Sequence, residues 1–481
     1  LSIMHYPSIQ TNVATTLLRR AATNPDRTAV IFEDQQITYN ELADRVRKQA
    51  NLFKEHGICM GDRVGFLGFN QPAFLETMYA ANAIGAIFVP LNFRLTAQEL
   101  IFIINDAGIH SLVVDDASLS VVDPVREQFC CHHFYSAEST FDGWHSLVNE
   151  RAKREPLAQE VTMTQHDVAV IMYTSGTTGL PKGAMLTHGN LMWNNINAHF
   201  AFGQSRDDVV LTVAPLFHIG GLNVLTLHTI TLGGTLLLIR AFDPGQVLGF
   251  IEQHKVALMF GAPAMFNFMA QHPDFEATSF DSVKTFICGA APPPESLLTL
   301  YAERGVDFCQ GYGLTETAPF ATFLTPEFAL SKLGSAGQAP MYTEVRIVDN
   351  DNAEVGAEVR GEICIKGPNI MKGYWNRPEA TAEAIDREGW FHSGDVGYKD
   401  DEGFVFICDR LKDMVISGGE NVYPAEVESV LFKQEAIAEV AVIGMPDEKW
   451  GEAVTAVAAL HKGKTLELEE LRAFAETQLA R

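Results

Sequence analysis

Basic residues are scarce in this chain. Against 60 Asp and Glu stand 35 Lys and Arg, a formal net charge of −25 over 481 residues. A nucleic-acid binder carries a basic face, so the charge argues against that class. The acidic excess reads as the solubility charge of a cytoplasmic protein, and an anionic substrate must meet a locally positive pocket or backbone N–H groups. Cysteine is sparse too. Cys59, Cys130, Cys131, Cys288, Cys309, Cys364 and Cys408 are odd in number and contain no C-x-x-C pair, which argues against a disulfide framework and a zinc site. The opening LSIMHYPSIQTNVATTLLRR lacks the basic-then-apolar order of a secretory signal. One stretch without Asp, Glu, Lys or Arg, Leu211 to Ile239, is long enough to span a bilayer. Pro215, Gly220, Gly221, Gly233 and Gly234 interrupt it, and His218, Asn223 and His228 make it partly polar, so a buried loop, helix and strand are expected instead. Peripheral contact with a membrane surface stays open. Internal repeats and low-complexity tracts are absent.

What is present is the composition of a large globular protein, 47% hydrophobic and 20% charged. The length exceeds what one core supports, so two or more domains are expected. Helix and strand periodicities alternate, which predicts a multi-domain α/β fold. Leu42, Val46, Ala50 and Phe53 form a helical stripe, and Arg63-Val-Gly-Phe-Leu67 a strand. Asp243-Pro244-Gly245-Gln246 is a helix start, with an acidic N-cap and proline in the first turn. That helix runs to about His254, before a buried strand at Val256–Phe260. From about residue 332 short alternating strands with Gly, Asp and Asn turns predict a small β-barrel-like subdomain reaching 409. After Asp409-Arg-Leu-Lys412 the pattern changes again: Tyr423-Pro424 opens a helix, Glu439 to Gly444 is a strand, and Leu471, Phe474, Ala475 and Leu479 begin another helix. The expected division is therefore 1–409 and a small α+β domain over 410–481.

The strongest local signal is the strand Val168-Ala-Val-Ile-Met-Tyr173 emptying into Thr174-Ser-Gly-Thr-Thr-Gly-Leu-Pro-Lys-Gly183. Glycines let backbone N–H groups close around phosphate oxygens, while hydroxyls and a lysine add donors. No Gly-Lys-Ser/Thr follows, so this is not the Walker pattern.

With the motifs that follow it in order, this run resembles the phosphate loop of the adenylate-forming superfamily: acyl-CoA synthetases, peptide-synthetase adenylation domains and firefly luciferases. The resemblance extends from Ile37-Thr-Tyr-Asn-Glu-Leu42 to the last residue. The block Leu411-Lys-Asp-Met-Val-Ile-Ser-Gly-Gly-Glu-Asn-Val-Tyr-Pro-Ala-Glu426 is most similar to bacterial long-chain fatty acyl-CoA synthetases and 4-coumarate-type ligases. The implied activity is ATP-dependent formation of an acyl-adenylate, then transfer of the acyl group to coenzyme A. A medium- or long-chain fatty acid is the first expected substrate and a hydroxycinnamate-like aryl acid the second.

The resemblance also assigns roles. Thr174, Ser175, Gly176, Thr177, Thr178, Gly179 and Lys182 would cradle the phosphates of ATP. In Gln310-Gly311-Tyr312-Gly313-Leu-Thr315-Glu316, Tyr312 would stack on adenine, Thr315 bond a phosphate oxygen and Glu316 help hold Mg²⁺. Gly289-Ala290-Ala291 would let adenine and the acyl group lie against the backbone. In Trp390-Phe-His-Ser-Gly-Asp395 the aspartate, with Arg410, would hold the ribose hydroxyls, a bidentate task suited to a carboxylate. His218 sits at the position of the family's mobile gate, and Gly220, Gly221, Gly289 and Gly313 imply an open, elongated acyl pocket. Lys412 falls at the hinge of a mobile C-terminal lid, and Gly418 and Gly419 at the coenzyme A channel.

One departure stands out. The family's second lysine, in a Gly-Lys type segment, has no counterpart before Gln478-Leu-Ala-Arg481, and the unfinished helical pattern there leads to the expectation of a longer chain. An amino-acid-activating domain carries an acid near the gate, absent from Phe217-His-Ile-Gly-Gly-Leu-Asn223. A luciferase-like monooxygenase and a catalytically dead nucleotide-binding protein share the same motifs, and delivery to a carrier-protein thiol is the alternative to coenzyme A. A monomer and a homodimer are both compatible with the sequence.

Overall fold

The computed structural model describes residues 12–174, 180–291, 293–411, 413–417, 420–447 and 451–476. The chain forms two compact units, 1–344 with 365–391, and 345–364 with 392–481.

The first unit holds two eight-stranded mixed sheets. One runs in the order Phe320–Leu324, Phe308–Gly313, Thr285–Gly289, Val256–Gly261, Val209–Thr212, Thr235–Leu238, Thr28–Phe32, Gln35–Thr38. Its inner pairings are parallel and its two outermost pairings antiparallel. The other places Ile87–Leu91 and Arg63–Leu67 at its centre and Val168–Thr174, Lys182–Thr187 and Gly373–Tyr374 toward one edge. Central parallel strands covered on both faces are apolar throughout, and Ile87–Leu91 is buried at every position.

The helices begin where the sequence supplies caps. Thr38 and Glu41 form a reciprocal capping box before Tyr39–Glu55. The Asp243 carboxylate accepts the Gln246 N–H at 2.8 Å before Pro244–His254. The core beneath the first sheet is aromatic: Phe266, Phe286, Phe308 and Tyr301 pack with ring centroids 4.9–6.1 Å apart. The segment 211–239 is a buried strand, loop, helical run and strand, and among the described residues no helix is long and apolar enough to cross a membrane.

In the second unit, Glu344–Val348, Gly361–Lys366, Phe391–Lys399 and Val405–Arg410 lie side by side in one sheet. A second, antiparallel sheet has the order Glu420–Val422, Val415–Ser417, Gly451–Leu460, Ile437–Asp447. Helix Pro424–Leu431 contributes Leu431 to a small core with Ile437 and Val442, against which Leu471 packs. The sequence places the domain break at 409, whereas the compact division groups 392–409 with the C-terminal residues. The antiparallel pairing of 391–399 with 405–410 keeps those two strands in one body.

Candidate active site

In the first unit the phosphate-loop motif opens and closes as a hairpin. Strand Val168–Thr174 pairs antiparallel with Lys182–Thr187, and Thr174 stands opposite Lys182. Ser175, Gly176, Thr177, Thr178 and Gly179 lie outside the described residues. The base of the loop is anchored by Asp106. Its carboxylate accepts the Tyr173 hydroxyl at 2.6 Å and pairs with Arg377 at 2.5 Å, and its carbonyl accepts the Trp375 indole N–H at 3.2 Å.

That anchor carries Tyr374 into the site. Gly373–Tyr374 adds to the sheet beside Lys182–Thr187, with Tyr374 opposite Ala184. The Lys182 ammonium lies 5.4 Å above the Tyr374 ring, and the Tyr374 hydroxyl donates to Glu316 at 2.8 Å. Burial and the Glu316 charge push the tyrosine pKa well above its ordinary value, so the group stays a donor. The loop lysine and the expected metal-side carboxylate are thus joined through a residue the sequence reading did not single out. Nothing in its local pattern marks it, because its partner lies 58 residues away in the chain.

The adenylate motif occupies the end of strand Phe308–Gly313 and the short 3-10 turn Thr315–Thr317. Gln310 is buried opposite Cys288, and Gly311 stands opposite Gly289 at the ends of parallel strands. Tyr312 and Thr315 are half-buried and Glu316 is buried. Ala290, just beyond Gly289, has φ +72°, a left-handed conformation costly for a residue with a side chain. Ala290 and Ala291 are exposed there. The turn after Glu316 is braced by buried amides. Asn369 donates to the carbonyls of Thr317 and Phe320 at 2.7 and 2.9 Å, Asn223 to that of Ala318 at 2.6 Å, and Asn194 accepts the Phe320 N–H at 3.1 Å.

His218 opens to solvent at the head of the helical run 219–232. Its ring lies 4.4 Å from that of Phe217, which meets Phe93 at 5.3 Å, and Phe93 stacks on Phe69 at 4.0 Å. Partial burial of the ring, then the charge of Arg94, holds the His218 pKa below its usual value. Asn70 pins the preceding loop, donating to the Ala214 carbonyl at 3.0 Å and accepting the Leu216 N–H at 2.8 Å.

Two of the glycines expected at the acyl pocket face one aromatic ring. A Cβ on Gly220 would lie 2.8 Å from the Phe260 ring, and one on Gly289 would lie 2.9 Å from the same ring. Phe260 therefore fills the space between the gate segment and the strand end, and the cavity beside it measures about 10 Å³. Gly221 and Gly313 are fixed by backbone crowding. Side chains there would collide with the carbonyls of Pro215 and Pro319.

In the second unit, Asp395 and Arg410 are cross-strand partners, with Arg410 Nε 3.4 Å from an Asp395 carboxylate oxygen. Asp395 is buried and Arg410 largely exposed. The turn before Asp395 is held by Glu362, which bonds the His392 ring at 2.7 Å and accepts the Gly394 N–H at 3.0 Å. Lys412, Gly418 and Gly419 lie outside the described residues.

The first unit thus brings together a strand end of small residues, a loop lysine and a buried carboxylate, and the second unit holds an aspartate–arginine pair. The chain belongs to the AMP-binding enzyme family: the family model for AMP-binding enzymes matches residues 17–375, and that for the AMP-binding enzyme C-terminal domain matches 426–481. It is similar to the feruloyl-CoA synthase of Amycolatopsis sp, 43% identical over 96% of this chain and 91% of that protein. It is also similar to the long-chain-fatty-acid–CoA ligase FadD13 of Mycobacterium tuberculosis, 38% identical over 98% and 92% of the two chains. Among solved structures it resembles O-succinylbenzoate coenzyme A synthetase from Bacillus subtilis in complex with ATP and magnesium ion, with TM-score 0.85, 32% identity, and 97% and 93% coverage. The activity is that of an ATP-dependent acid–coenzyme A ligase.

Proposed function

We propose that the acid is a hydroxycinnamate-like aryl acid. The observation that carries this reading is the Phe260 ring set against both Gly220 and Gly289: it offers a planar aromatic face beside the gate segment and narrows the way for a long flexible chain. The similarity to a feruloyl-CoA synthase supports it. A medium- or long-chain fatty acid is the second reading, favoured by the similarity to FadD13. The test is coenzyme-A-dependent AMP release with hydroxycinnamates and with fatty acids of increasing length. Hydroxycinnamates should lead in kcat/KM by about tenfold or more, since packing distinguishes such acids by roughly 1–3 kcal/mol. A lead for long fatty acids would reject the aryl reading.

Both reactants of the first step are anionic, so the residues' work is positioning and charge neutralisation. Lys182 and the loop N–H groups receive the phosphates, and Thr315 donates to one phosphate oxygen. Tyr312 stacks on the adenine, which lies against Gly289, Ala290 and Ala291. A carboxylate and a hydroxyl are hard oxygen donors, so Glu316 and Thr315 suit Mg²⁺. Bound there, the cation would supply Lewis-acid neutralisation of the phosphates. The acid's carboxylate attacks the α-phosphorus and pyrophosphate leaves. The thiolate of coenzyme A then attacks the acyl carbonyl and AMP departs. Asp395 and Arg410 hold the ribose. The lid is 410–481, hinged at Lys412, with Gly418 and Gly419 along the thiol's path, and His218 gates the acyl site.

A further inference from the structure

The first unit contains a second, larger cavity that the reaction does not use. It measures about 420 Å³ and lies among the helices Val13–Thr23, His188–Phe202 and Leu227–Leu232. That volume is within the range of small-molecule sites, about 300–1,000 Å³. It is separated from the space beside Phe260 by a single helical run. Gly221, Leu225 and Thr226 line the small cavity beside Phe260, while Leu227, His228 and Thr231 line the large one. The run between includes a π-helical stretch, Leu222–Thr226, a distortion frequent at functional sites.

The polar atoms of this cavity are unusual. His228 is 3% exposed, Asn195 8% and Thr15 4%, yet both His228 ring nitrogens, Asn195 Oδ1 and Thr15 Oγ1 have no hydrogen-bond partner among the described residues. A buried polar atom left unpaired is costly, and native proteins keep few of them. Four around one cavity point to a missing partner. Burial and the nearby His199, whose ring centroid is 5.5 Å away, keep His228 neutral, with its pKa pushed down to about 3. The inner end therefore presents an imidazole, an amide and a hydroxyl. It can both donate and accept, but holds no charge to balance an ion. The walls are mostly apolar, with Val13, Leu191, Ile196 and Leu227 beside Thr16, His199 and Thr231. Water alone would find few partners along them. At the rim the exposure changes. Phe200 is 63% exposed, and Arg19 is exposed with no ion pair to a described residue.

We infer that this cavity is a second ligand site, which takes a small carboxylic acid with an apolar body and a neutral hydroxyl at its far end. The carboxylate meets Arg19 at the rim, and the hydroxyl reaches His228, Asn195 and Thr15. The site stands apart from the acyl pocket, and the inference goes beyond the substrate reading: it holds whichever acid the enzyme activates.

The test is calorimetric titration of para-hydroxyphenylpropionate into the full chain after the catalytic site has been filled with a non-hydrolysable acyl-sulfamoyl adenosine. The heat of that first ligand reports the catalytic reading separately. A saturable heat at about one equivalent per chain should remain in the blocked enzyme. Phenylpropionate, which lacks the hydroxyl, and para-hydroxyphenylethanol, which lacks the carboxylate, should each bind about tenfold more weakly. His228→Leu should erase the preference for the hydroxylated acid, and Arg19→Ala the preference for the carboxylate. Ile196→Trp should fill the cavity and abolish the heat while ATP–pyrophosphate exchange continues. Absence of heat in the blocked wild-type enzyme overturns the inference, as does an unchanged hydroxyl preference in a folded His228→Leu variant.

Discussion

The Tyr374 hydroxyl donates to the Glu316 carboxylate at 2.8 Å while the Tyr374 ring lies under the Lys182 ammonium. One side chain thus touches both the group expected to face the metal and the cation expected to face the phosphates. Tyr374→Phe separates the two contacts, because it keeps the ring and deletes the donor. A hydrogen bond to a charged group contributes about 1.5–3 kcal/mol, so adenylate formation should slow by roughly 10–100-fold. ATP–pyrophosphate exchange measures it, and the acid KM should hardly move.

Phe260→Ala should change selectivity more than rate. Removing the ring opens the space between Gly220 and Gly289. The kcat/KM ratio of a long fatty acid to a hydroxycinnamate should then rise by about tenfold or more, within the roughly 1–3 kcal/mol that apolar packing commands. An unchanged ratio would place the acyl group elsewhere.

Asp395→Ala should weaken AMP more than the acid. It removes the carboxylate proposed to accept both ribose hydroxyls and leaves Arg410 without its cross-strand carboxylate. The expected loss in AMP affinity is about 1.5–3 kcal/mol by calorimetry.

Asn369→Ala should act on stability. Asn369 is fully buried, donates to two carbonyls and accepts the Thr343 hydroxyl at 2.8 Å. The carbonyls it leaves unpaired cost about 1–3 kcal/mol each, which a urea midpoint would register.

Acid should destabilise the first unit through His188. Its Nδ1 accepts the Val13 N–H at 3.1 Å, a bond that protonation destroys, and burial pushes its pKa down to about 4. The folded state therefore binds this proton less readily than the unfolded chain. The contribution is complete above the ordinary histidine value near 6.5 and is lost as the pH falls toward 4, by up to about 3 kcal/mol. Buried His228, pushed down to about 3, adds a similar loss over the same range and below. His188→Gln should flatten the first part of the urea-midpoint profile, leaving the slope from His228.

The sequence by itself determined the elements and the identity of the motifs. Caps such as Thr38 with Glu41 and Asp243 before Pro244, and apolar runs such as Val256–Phe260, are set by bonding and periodicity within a few residues. The phosphate-loop, adenylate and aspartate motifs are contiguous, and contiguity is what a reader of sequence can see. The tertiary structure alone decided what those motifs touch. Tyr374 reaches Glu316 because the strand Gly373–Tyr374 adds to the sheet edge beside Lys182–Thr187. At Gly221 and Gly313 two backbones crowd, which residue type alone does not reveal. The Phe260 ring faces Gly289 and Gly220 together because the strand order sets Val256–Gly261 next to Thr285–Gly289. Local periodicity fixes which face of an element is apolar, but strand order and register fix its neighbours. These depend on packing summed over the whole unit, which no short stretch of sequence carries.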